Sequence, residues 1–325
     1  MFYKLMFINW MMLGSIISIS ANTWIGVWMG LEINLLSIIP LINKTNNSMS
    51  SESSMKYFIS QAMASTIILV SIMMMMMKLN YNLMLTSAIL MKMGSAPFHF
   101  WFPEVMEGLN WNNSLIMLTW QKLTPMVLLM YTLNSMMFMN IIILMNLLIG
   151  GIQGLNQISL RKILAYSSIN HIAWMIPSIN LVSVIWVYYF IIYAIISINI
   201  CLMFNFMNTY YISQMILTNF SNPLKKFIIM MNFFNLGGLP PFLGFLPKWV
   251  TIQMMVNFNY LVISMMMIIL TLITLYYYMR ILYSTLMMNS AFMKFKFSMK
   301  NYMFTFMNII SLMALILSTL MFNLF

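Results

Sequence analysis

The stretch MKMGSAPFHFWFPEVMEG, residues 91–108, interrupts an apolar run with features that a membrane-spanning helix rarely carries. Lys92 places a charge inside the apolar run, and Gly94 and Pro97 disfavour a continuous helix. His99 follows within an aromatic patch. Charges and helix breaks at membrane depth are costly, and in membrane proteins they usually mark function. The fold and the site are therefore expected to be organised around this stretch.

The composition decides the class of protein. The chain has 325 residues, of which 62% are hydrophobic and 6% are charged. A soluble domain carries about 25% charged residues, so the sequence predicts an integral membrane protein. The apolar runs are too long for barrel strands, which alternate over about ten residues. We therefore expect an all-α polytopic membrane protein.

The charge and cysteine counts exclude several function classes. The net charge is +11, but no run of five or more like charges occurs, so nucleic-acid binding is not expected. Cys201 is the single cysteine and the chain has two histidines, which predicts no disulfide, iron–sulfur, haem or other metal site. The apolar start indicates a retained span rather than a signal peptide. The 44 methionines favour the codon usage of an animal mitochondrial genome.

Hydropathy predicts about eleven transmembrane helices. The fifth contains Lys122 and Pro125 in its middle, and the ninth is interrupted by GGLPPFLGFLPKW, residues 237–249. The approximate limits are 3–20, 23–43, 56–77, 82–101, 112–134, 137–155, 161–178, 181–207, 225–250, 256–285 and 302–322.

The distribution of basic residues tests this count, because cytosol-facing loops collect lysine and arginine. Ten basic residues fall on the side of the N-terminus and Lys78 alone falls on the other. The N-terminus is thus predicted on the cytosol-equivalent side, the matrix in a mitochondrion, with the C-terminus opposite. The ten are Lys4, Lys44, Lys56, Arg161, Lys162, Lys225, Lys226, Lys294, Lys296 and Lys300.

An internal repeat relates the fourth and ninth spans. GSAPFHFWFP, residues 94–103, aligns without gaps to GLPPFLGFLP, residues 238–247. Spans five apart run in opposite directions, and paired Gly/Pro-broken helices in inverted repeats are typical of transporters. We expect one membrane domain, residues 1–325, with repeats at about 1–134 and 137–285 and an added C-terminal helix. Two proline kinks that serve packing are the alternative. The shared pairs are Gly94/Gly238, Pro97/Pro241, Phe98/Phe242 and Pro103/Pro247.

Four charged residues at membrane depth are the candidate proton-relay groups: Glu32, Lys92, Lys122 and Lys248. Burial disfavours the charged form of a lysine and a nearby carboxylate favours it, so changing their separation switches whether the lysine holds a proton. Arginine could not do this, because it does not deprotonate. Arg280, near a span end, can snorkel to the interface instead.

The two histidines and two further carboxylates have competing interpretations. His99 and His171 titrate near neutrality and could pass protons, but a buried histidine bonded to a carbonyl is an equally good explanation of each. Glu104 and Glu107 follow Pro103 on the matrix-equivalent side, where a solvated helix N-terminus is favoured over a relay role.

Five motifs carry a resemblance to a known family. They strongly resemble chain 2 of mitochondrial NADH–ubiquinone oxidoreductase, respiratory complex I, in order over about residues 10–285. The family is antiporter-like, and its animal members lack the first three of fourteen bacterial spans, which implies eleven. The motifs are WIGVWMGLEINLLSIIP (24–40), MKMGSAPFHFWFPEVMEG (91–108), LTWQKLTP (118–125), GGIQGLNQISLRKILAYSSINHIAWM (150–175) and LGGLPPFLGFLPKW (236–249).

The resemblance implies roles for the matching residues. Glu32 looks like the family's glutamate that pairs with the lysine at position 92, and Lys122 like its central-axis lysine. Lys248 looks like the lysine of the second broken helix, and His171 occupies a channel position. The resemblance also implies no cofactor in this chain, with NAD, FMN, iron–sulfur clusters and ubiquinone in partner subunits. The expected partners are other membrane-arm subunits, including antiporter-like chains, and phospholipids such as cardiolipin.

These observations predict a proton-translocating membrane-arm subunit of complex I in the mitochondrial inner membrane. Electron transfer would occur in other subunits, and the redox enzyme would be the whole complex. A stand-alone cation/proton antiporter is the alternative from another class. A structural scaffold is a third possibility, in which Lys92→Met is harmless or stabilising because buried charges often cost more than they return.

Overall fold

A computed structural model describes residues 2–43, 47–132, 136–217, 231–240 and 242–287. The regular secondary structure of these residues is helical, apart from an isolated antiparallel bridge between Ser159 and Tyr211. Six of the described helices are long and apolar enough to cross a membrane. The architecture is therefore that of an all-helical membrane protein. The predicted eleventh span, 302–322, lies outside the described residues.

The chain divides into two compact units, Met1–Asn146 and Leu147–Phe325. The helices of the first unit are α1 Phe2–Ser20, α2 Trp24–Ile42, α3 Ser48–Met76, α4 Asn82–Met93, α5 Trp101–Gly108, α6 Trp111–Leu118, α7 Trp120–Tyr131 and the first part of α8, Met136–Leu155. Those of the second are the rest of α8, α9 Leu160–Leu181, α10 Ser183–Met207, α11 Ile212–Leu217, α12 (described over 231–237), α13 Phe245–Asn257 and α14 Leu261–Met287.

In the first unit, α1 and α2 lie in close contact through small residues. A Cβ on Gly14 would stand 2.9 Å from the backbone nitrogen of Asn34, and a Cβ on Gly30 would stand 2.6 Å from that of Ser18. Small side chains let helix backbones approach closely in membranes, where packing replaces the hydrophobic effect between helices. This contact fixes α2, which carries Glu32, against α1.

Several helix boundaries differ from the sequence prediction, as α3 and the fifth span illustrate. α3 begins at Ser48 rather than at residue 56, because a hydropathy limit marks the apolar stretch and a helix can continue into the polar region beyond it. The predicted fifth span, 112–134, contains two helices that meet at Thr119, where φ is −111° and ψ is −74°. Pro125 lies inside α7, so the irregularity precedes the proline by six residues.

In the second unit, α9 is the central helix. It is buried along most of its length and packs against α10, α13 and α14. α9 carries Ser167, Ser168, Asn170 and His171, and it is absent from the six helices with the composition of a spanning helix. Polar side chains on such a helix are acceptable because neighbouring helices, rather than lipid, surround it.

Candidate functional site

A small cavity in the first unit brings together Lys92 of α4 and Lys122 of α7, whose side chains are 7% and 1% exposed. The free volume of about 20 Å³ suffices for at least one water molecule. The ammonium of Lys122 also lies 5.1 Å from the ring centroid of Phe102, a cation–π distance. The other lining residues are Leu31, Asn34, Leu35, Tyr57, Gln61, Met93, Trp101, Phe102, Met117, Gln121, Thr124 and Pro125.

Glu32 lies on α2 and is half-buried. No ion pair within 4.0 Å joins it to Lys92; Lys56 forms the ion pairs found among the described residues. Its charge nevertheless acts electrostatically on Lys92 and on Tyr57 of α3. The predicted Glu32–Lys92 interaction is thus a through-space effect in this conformation.

Polar partners that the sequence analysis did not select connect the helices around this cavity. The side-chain amides of Asn34 and Gln121 exchange two hydrogen bonds, of 3.0 and 3.1 Å, between α2 and α7. Gln61 donates to the backbone carbonyl of Lys92 at 3.3 Å. The sequence did contain a signal for these residues. Burying an uncharged polar side chain in an apolar helix is also costly, so each such residue indicates a hydrogen-bond partner on a neighbouring helix. Gln121 directly precedes Lys122 in the sequence.

Lys248 occupies the first turns of α13 in the second unit and is 7% exposed. Its Nζ donates to the carbonyl of Gly237 at 2.9 Å and lies 5.8 Å from the ring centroid of Trp174. Trp174 stands one helical turn after His171 on α9. The second unit therefore places a buried lysine beside the helix that carries the histidine.

His171 is 5% exposed, and its Nδ1 lies 2.9 Å from the hydroxyl oxygen of Tyr189 on α10. The ring of Tyr193 lies 5.0 Å away between centroids, and its hydroxyl bonds Ser168. On the other side of α9, Tyr278 bonds Ser167. Sequence reasoning missed these tyrosines, because aromatic residues in apolar helices are ordinary packing residues unless their hydroxyl groups find partners.

His99 has a different environment. It lies in the segment between α4 and α5, is 1% exposed, and its Nδ1 is 3.2 Å from the carbonyl oxygen of Pro97. The neighbouring Ala96 donates its backbone N–H to the side chain of Asn146. These local bonds order a segment that has no helix hydrogen bonds of its own, which favours the structural interpretation of His99.

The remaining candidate carboxylates follow on α5. Glu104 is 52% exposed in its side chain and pairs with Lys56 at 2.8 Å, and Lys56 also pairs with Glu52 at 2.8 Å. Glu107 is half-buried on the same helix. Glu104 thus lies at the surface in an ion cluster. In the parts of the chain that the structure describes, no three histidine, cysteine, aspartate or glutamate side chains are placed to hold a metal ion.

Comparisons with known proteins identify the family. Residues 21–84 and 76–274 match the family described as NADH:quinone oxidoreductase/Mrp antiporter, TM. The chain is 48% identical over 293 residues to NADH-ubiquinone oxidoreductase chain 2 of Anopheles gambiae, covering 87% of this chain and 86% of that protein. The corresponding protein of Aedes aegypti is 48% identical over 324 residues, with 95% of each covered, and that of Dasypus novemcinctus is 38% identical over 311 residues, covering 90% and 89%.

Solved structures support the fold. A chain of respiratory complex I from Thermus thermophilus superposes with a TM-score of 0.87 at 18% identity, covering 99% of this chain and 79% of that one. A chain of the Mrp complex from a Dietzia species superposes with a TM-score of 0.76 at 14% identity, covering 85% and 59%. Identities this low show a shared antiporter-like fold. Together with the relatives at 38–48% identity, they show that this chain belongs to the NADH-ubiquinone oxidoreductase chain 2 family.

Proposed function

We propose that this chain is a proton-translocating membrane-arm subunit of respiratory complex I, which couples electron transfer from NADH to ubiquinone in other subunits to proton movement. The observation that carries the proposal is the cavity of the first unit, in which Lys92 and Lys122 are buried together with room for water. Two buried amines beside water can take up and release protons, whereas a purely structural core would be filled with apolar side chains.

The first unit supplies the switch. Glu32 is close enough to Lys92 to act on its charge but does not form an ion pair with it. A small movement of α2 therefore changes how strongly Lys92 holds its proton. A water molecule in this cavity would connect Lys92 to Lys122. The Asn34–Gln121 bonds tie α2 to α7, so the same movement is felt at the helix of Lys122.

The second unit continues the relay through Lys248 and His171. Lys248 is held at the carbonyl of Gly237, and His171 is held at the hydroxyl of Tyr189. Each group can exchange a proton, and each is buried inside helices rather than exposed to lipid. His99 has only a supporting role in this scheme, because its bond to the Pro97 carbonyl is local.

The proposal includes the finer topology. The eleven spans, with the N-terminus in the matrix and the C-terminus in the intermembrane space, are supported by the charge asymmetry of the loops. Two broken helices in an inverted repeat are supported by the repeated backbone at Gly94 and Gly238, with φ of 71° and 72°. A new helix starts seven residues later in both places, at Trp101 and Phe245.

The location and partners follow from the same proposal. The chain would reside in the mitochondrial inner membrane and contact other membrane-arm subunits, including antiporter-like chains, as well as phospholipids such as cardiolipin. NAD, FMN, iron–sulfur clusters and ubiquinone would be bound by partner subunits. The methionine-rich composition supports a mitochondrial gene, and the names of the relatives support the partners.

Replacement of Lys122 tests the relay. Lys122→Met in the assembled complex is expected to lower NADH-driven proton uptake at least about tenfold, since a proton-transfer group contributes about 10²–10⁴-fold. Lys122→Arg should fail as well, because arginine keeps the charge but does not release its proton. Lys4→Met makes the same chemical change at an exposed position and serves as the control. Full proton uptake in both Lys122 variants would remove the relay from consideration.

A stand-alone cation/proton antiporter is the second candidate, favoured by the Mrp antiporter part of the matched family description. The purified chain in liposomes distinguishes the two functions. An antiporter would exchange sodium or potassium for protons by itself, whereas a complex I subunit should require its redox partners. Cation exchange by the isolated chain at the rate of the assembled system would favour the antiporter.

A further inference from the structure

His171 and His99 differ in the chemical type of their partner. The Nδ1 of His171 meets a hydroxyl group, that of Tyr189, at 2.9 Å. The Nδ1 of His99 meets a carbonyl group, that of Pro97, at 3.2 Å. A carbonyl oxygen only accepts hydrogen bonds, whereas a hydroxyl both donates and accepts. The two buried histidines are therefore held by partners with different capacities.

The hydroxyl partner suits a histidine that changes its protonation state. When the ring is neutral with its proton on Nε2, the tyrosine hydroxyl donates to Nδ1. When the ring is charged, Nδ1–H donates to the hydroxyl oxygen after the hydroxyl hydrogen has rotated away. The bond is thus kept in both states without movement of either side chain. A carbonyl keeps its bond to the neutral Nδ1–H tautomer and to the charged ring, but not to the neutral Nε2–H tautomer.

We propose that Tyr189 is a positioning residue that holds the His171 ring in one orientation in both its neutral and its charged form. The inference rests on the proposed role of His171 in proton transfer and adds the residue through which that role is maintained. Tyr189 is 1% exposed on α10, and its buried hydroxyl lies within hydrogen-bond distance of the His171 ring. Without it, a buried charged ring loses a bond and the orientation that the bond fixes.

Tyr193 offers a matched control one helical turn further along α10. Its ring also packs on His171, at 5.0 Å between centroids compared with 6.0 Å for Tyr189, and it is 3% exposed. Its hydroxyl bonds Ser168. The two tyrosines therefore share burial and ring contact and differ in which group their hydroxyls bind.

The other titratable groups near His171 come from each helix packed on α9. α10 contributes Tyr193 and, through Tyr193, Cys201. α14 contributes Tyr278, which acts electrostatically on both Tyr189 and Tyr193. α13 contributes Lys248, whose ammonium lies 5.8 Å from the centroid of Trp174 on α9.

The experiment compares Tyr189→Phe with Tyr193→Phe in the complete complex reconstituted in liposomes. NADH-driven proton uptake is measured across the pH range and normalised to the amount of assembled complex. Tyr189→Phe is expected to lower proton uptake about fivefold, the equivalent of one ordinary hydrogen bond, and to change the shape of the pH profile. Tyr193→Phe should retain the wild-type profile. A second comparison adds Tyr189→Phe to His171→Phe, where it should have no further effect because the two changes act through one group.

Several results would overturn the proposal: a wild-type pH profile in Tyr189→Phe, an equal change in Tyr193→Phe, or an additive effect in the His171→Phe background. If Tyr189→Phe lowers assembly, His171→Asn decides, since asparagine can bond the Tyr189 hydroxyl but cannot take up a proton. An unchanged pH profile in His171→Asn would contradict the inference. The Lys122 variants test the proposed function separately. If they lose proton uptake while Tyr189→Phe keeps wild-type proton uptake, the role of Tyr189 is contradicted and the proposed function is not.

Discussion

The two Gly/Pro segments have the same backbone conformation at their glycine. The lysine precedes the glycine in one segment and follows it in the other. Gly94 ends α4 and Gly238 ends α12, both in the left-handed region, and both are followed by a new helix seven residues later. Lys92 precedes its glycine by two residues, whereas Lys248 follows its glycine by ten. The two segments therefore share the positive φ of their glycine and the distance to the next helix, but not the sequence position of the lysine.

Both lysines nevertheless belong to or reach the C-terminal end of the helix that precedes the glycine, α4 in the first unit and α12 in the second. Lys92 lies in the last turn of α4, where the helix dipole is negative. Lys248 reaches back from α13 to donate to Gly237, at the end of α12. A lysine thus belongs to the last turn of α4 in the first unit, and a lysine from α13 reaches the end of α12 in the second. Selection of lysines by their sequence offset alone would have missed this correspondence.

Neutral replacements of the two lysines should separate proton transfer from structure. Lys92→Met and Lys248→Met are each expected to lower NADH-driven proton uptake about tenfold or more. Their effects on assembly should differ, because Lys248→Met removes the donor to Gly237 at a cost of about 1–3 kcal/mol, while no side-chain hydrogen bond of Lys92 is found among the described residues. Assembled complex is measured by native electrophoresis.

Lys248→Gln provides the control for this difference, since a glutamine amide can still donate to the Gly237 carbonyl. It should restore assembly without restoring proton uptake. Equal assembly losses in Lys92→Met and Lys248→Met would break the comparison. Normal proton uptake in Lys92→Met would favour the scaffold function over the relay.

The sequence predicted the helical membrane class and the buried lysines, because both depend on local composition. Mean composition predicted the helical membrane class, and the mid-membrane charges of Lys92, Lys122 and Lys248 predicted buried amines, because an apolar environment makes each charge conspicuous. The left-handed conformation of Gly94 and Gly238 was not predicted, although both glycines stand in the Gly/Pro motifs that the sequence selected. The interruption at Thr119 was not predicted either, because neither glycine nor proline marks it.

The contacts between helices were less accessible. Asn34 and Gln121 are 87 residues apart, and Tyr189 is separated from His171 by 18. Such pairs depend on which helix faces meet, and periodicity is weak when a helix is apolar or buried all round. α9 illustrates this point, since most of its residues are buried whatever their polarity. The Glu32–Lys92 pair was predicted as a contact through the family resemblance, and in this conformation only its electrostatic effect is present.

Alanine in place of the two repeated glycines should have a smaller effect than loss of a lysine. A Cβ in the left-handed region costs about 1–2 kcal/mol. At Gly238 the new Cβ would lie 2.9 Å from Cδ of Lys248 and 3.0 Å from its Nζ, so the ammonium must leave Gly237. At Gly94 it would lie 2.8 Å from Cβ of Phe102. We therefore expect Gly238→Ala to lower proton uptake more than assembly, and Gly94→Ala to lower assembly, measured as the amount and thermal midpoint of the complex.

Gly237→Ala is the matched control for this pair. Its added Cβ would stand 3.7 Å from the nearest atom, on Tyr278, which is ordinary van der Waals contact within a helix. It should leave both assembly and proton uptake near their wild-type values. A normal Gly238→Ala variant would contradict the assignment of the left-handed turn to the Lys248 contact.

The ion cluster of Lys56 should give the smallest effect, and it tests whether the helix after the first break needs an external anchor. Lys56 joins Glu52 on its own helix to Glu104 in the first turn of α5, whereas α13, after the second break, has no acidic residue in its first turn. The side chains are 40–58% exposed, and an exposed pair contributes about 0.2–1 kcal/mol. Lys56→Met should thus lower the thermal midpoint of the complex slightly at low salt and leave proton uptake unchanged. High salt should remove the difference, because it screens surface pairs. Glu104→Gln should reproduce most of the effect and Glu52→Gln little, because the ion pair with Glu104 connects two helices and that with Glu52 does not. The reverse order would mean that packing holds α5 without an acidic anchor, as it holds α13, which has no acidic residue in its first turn.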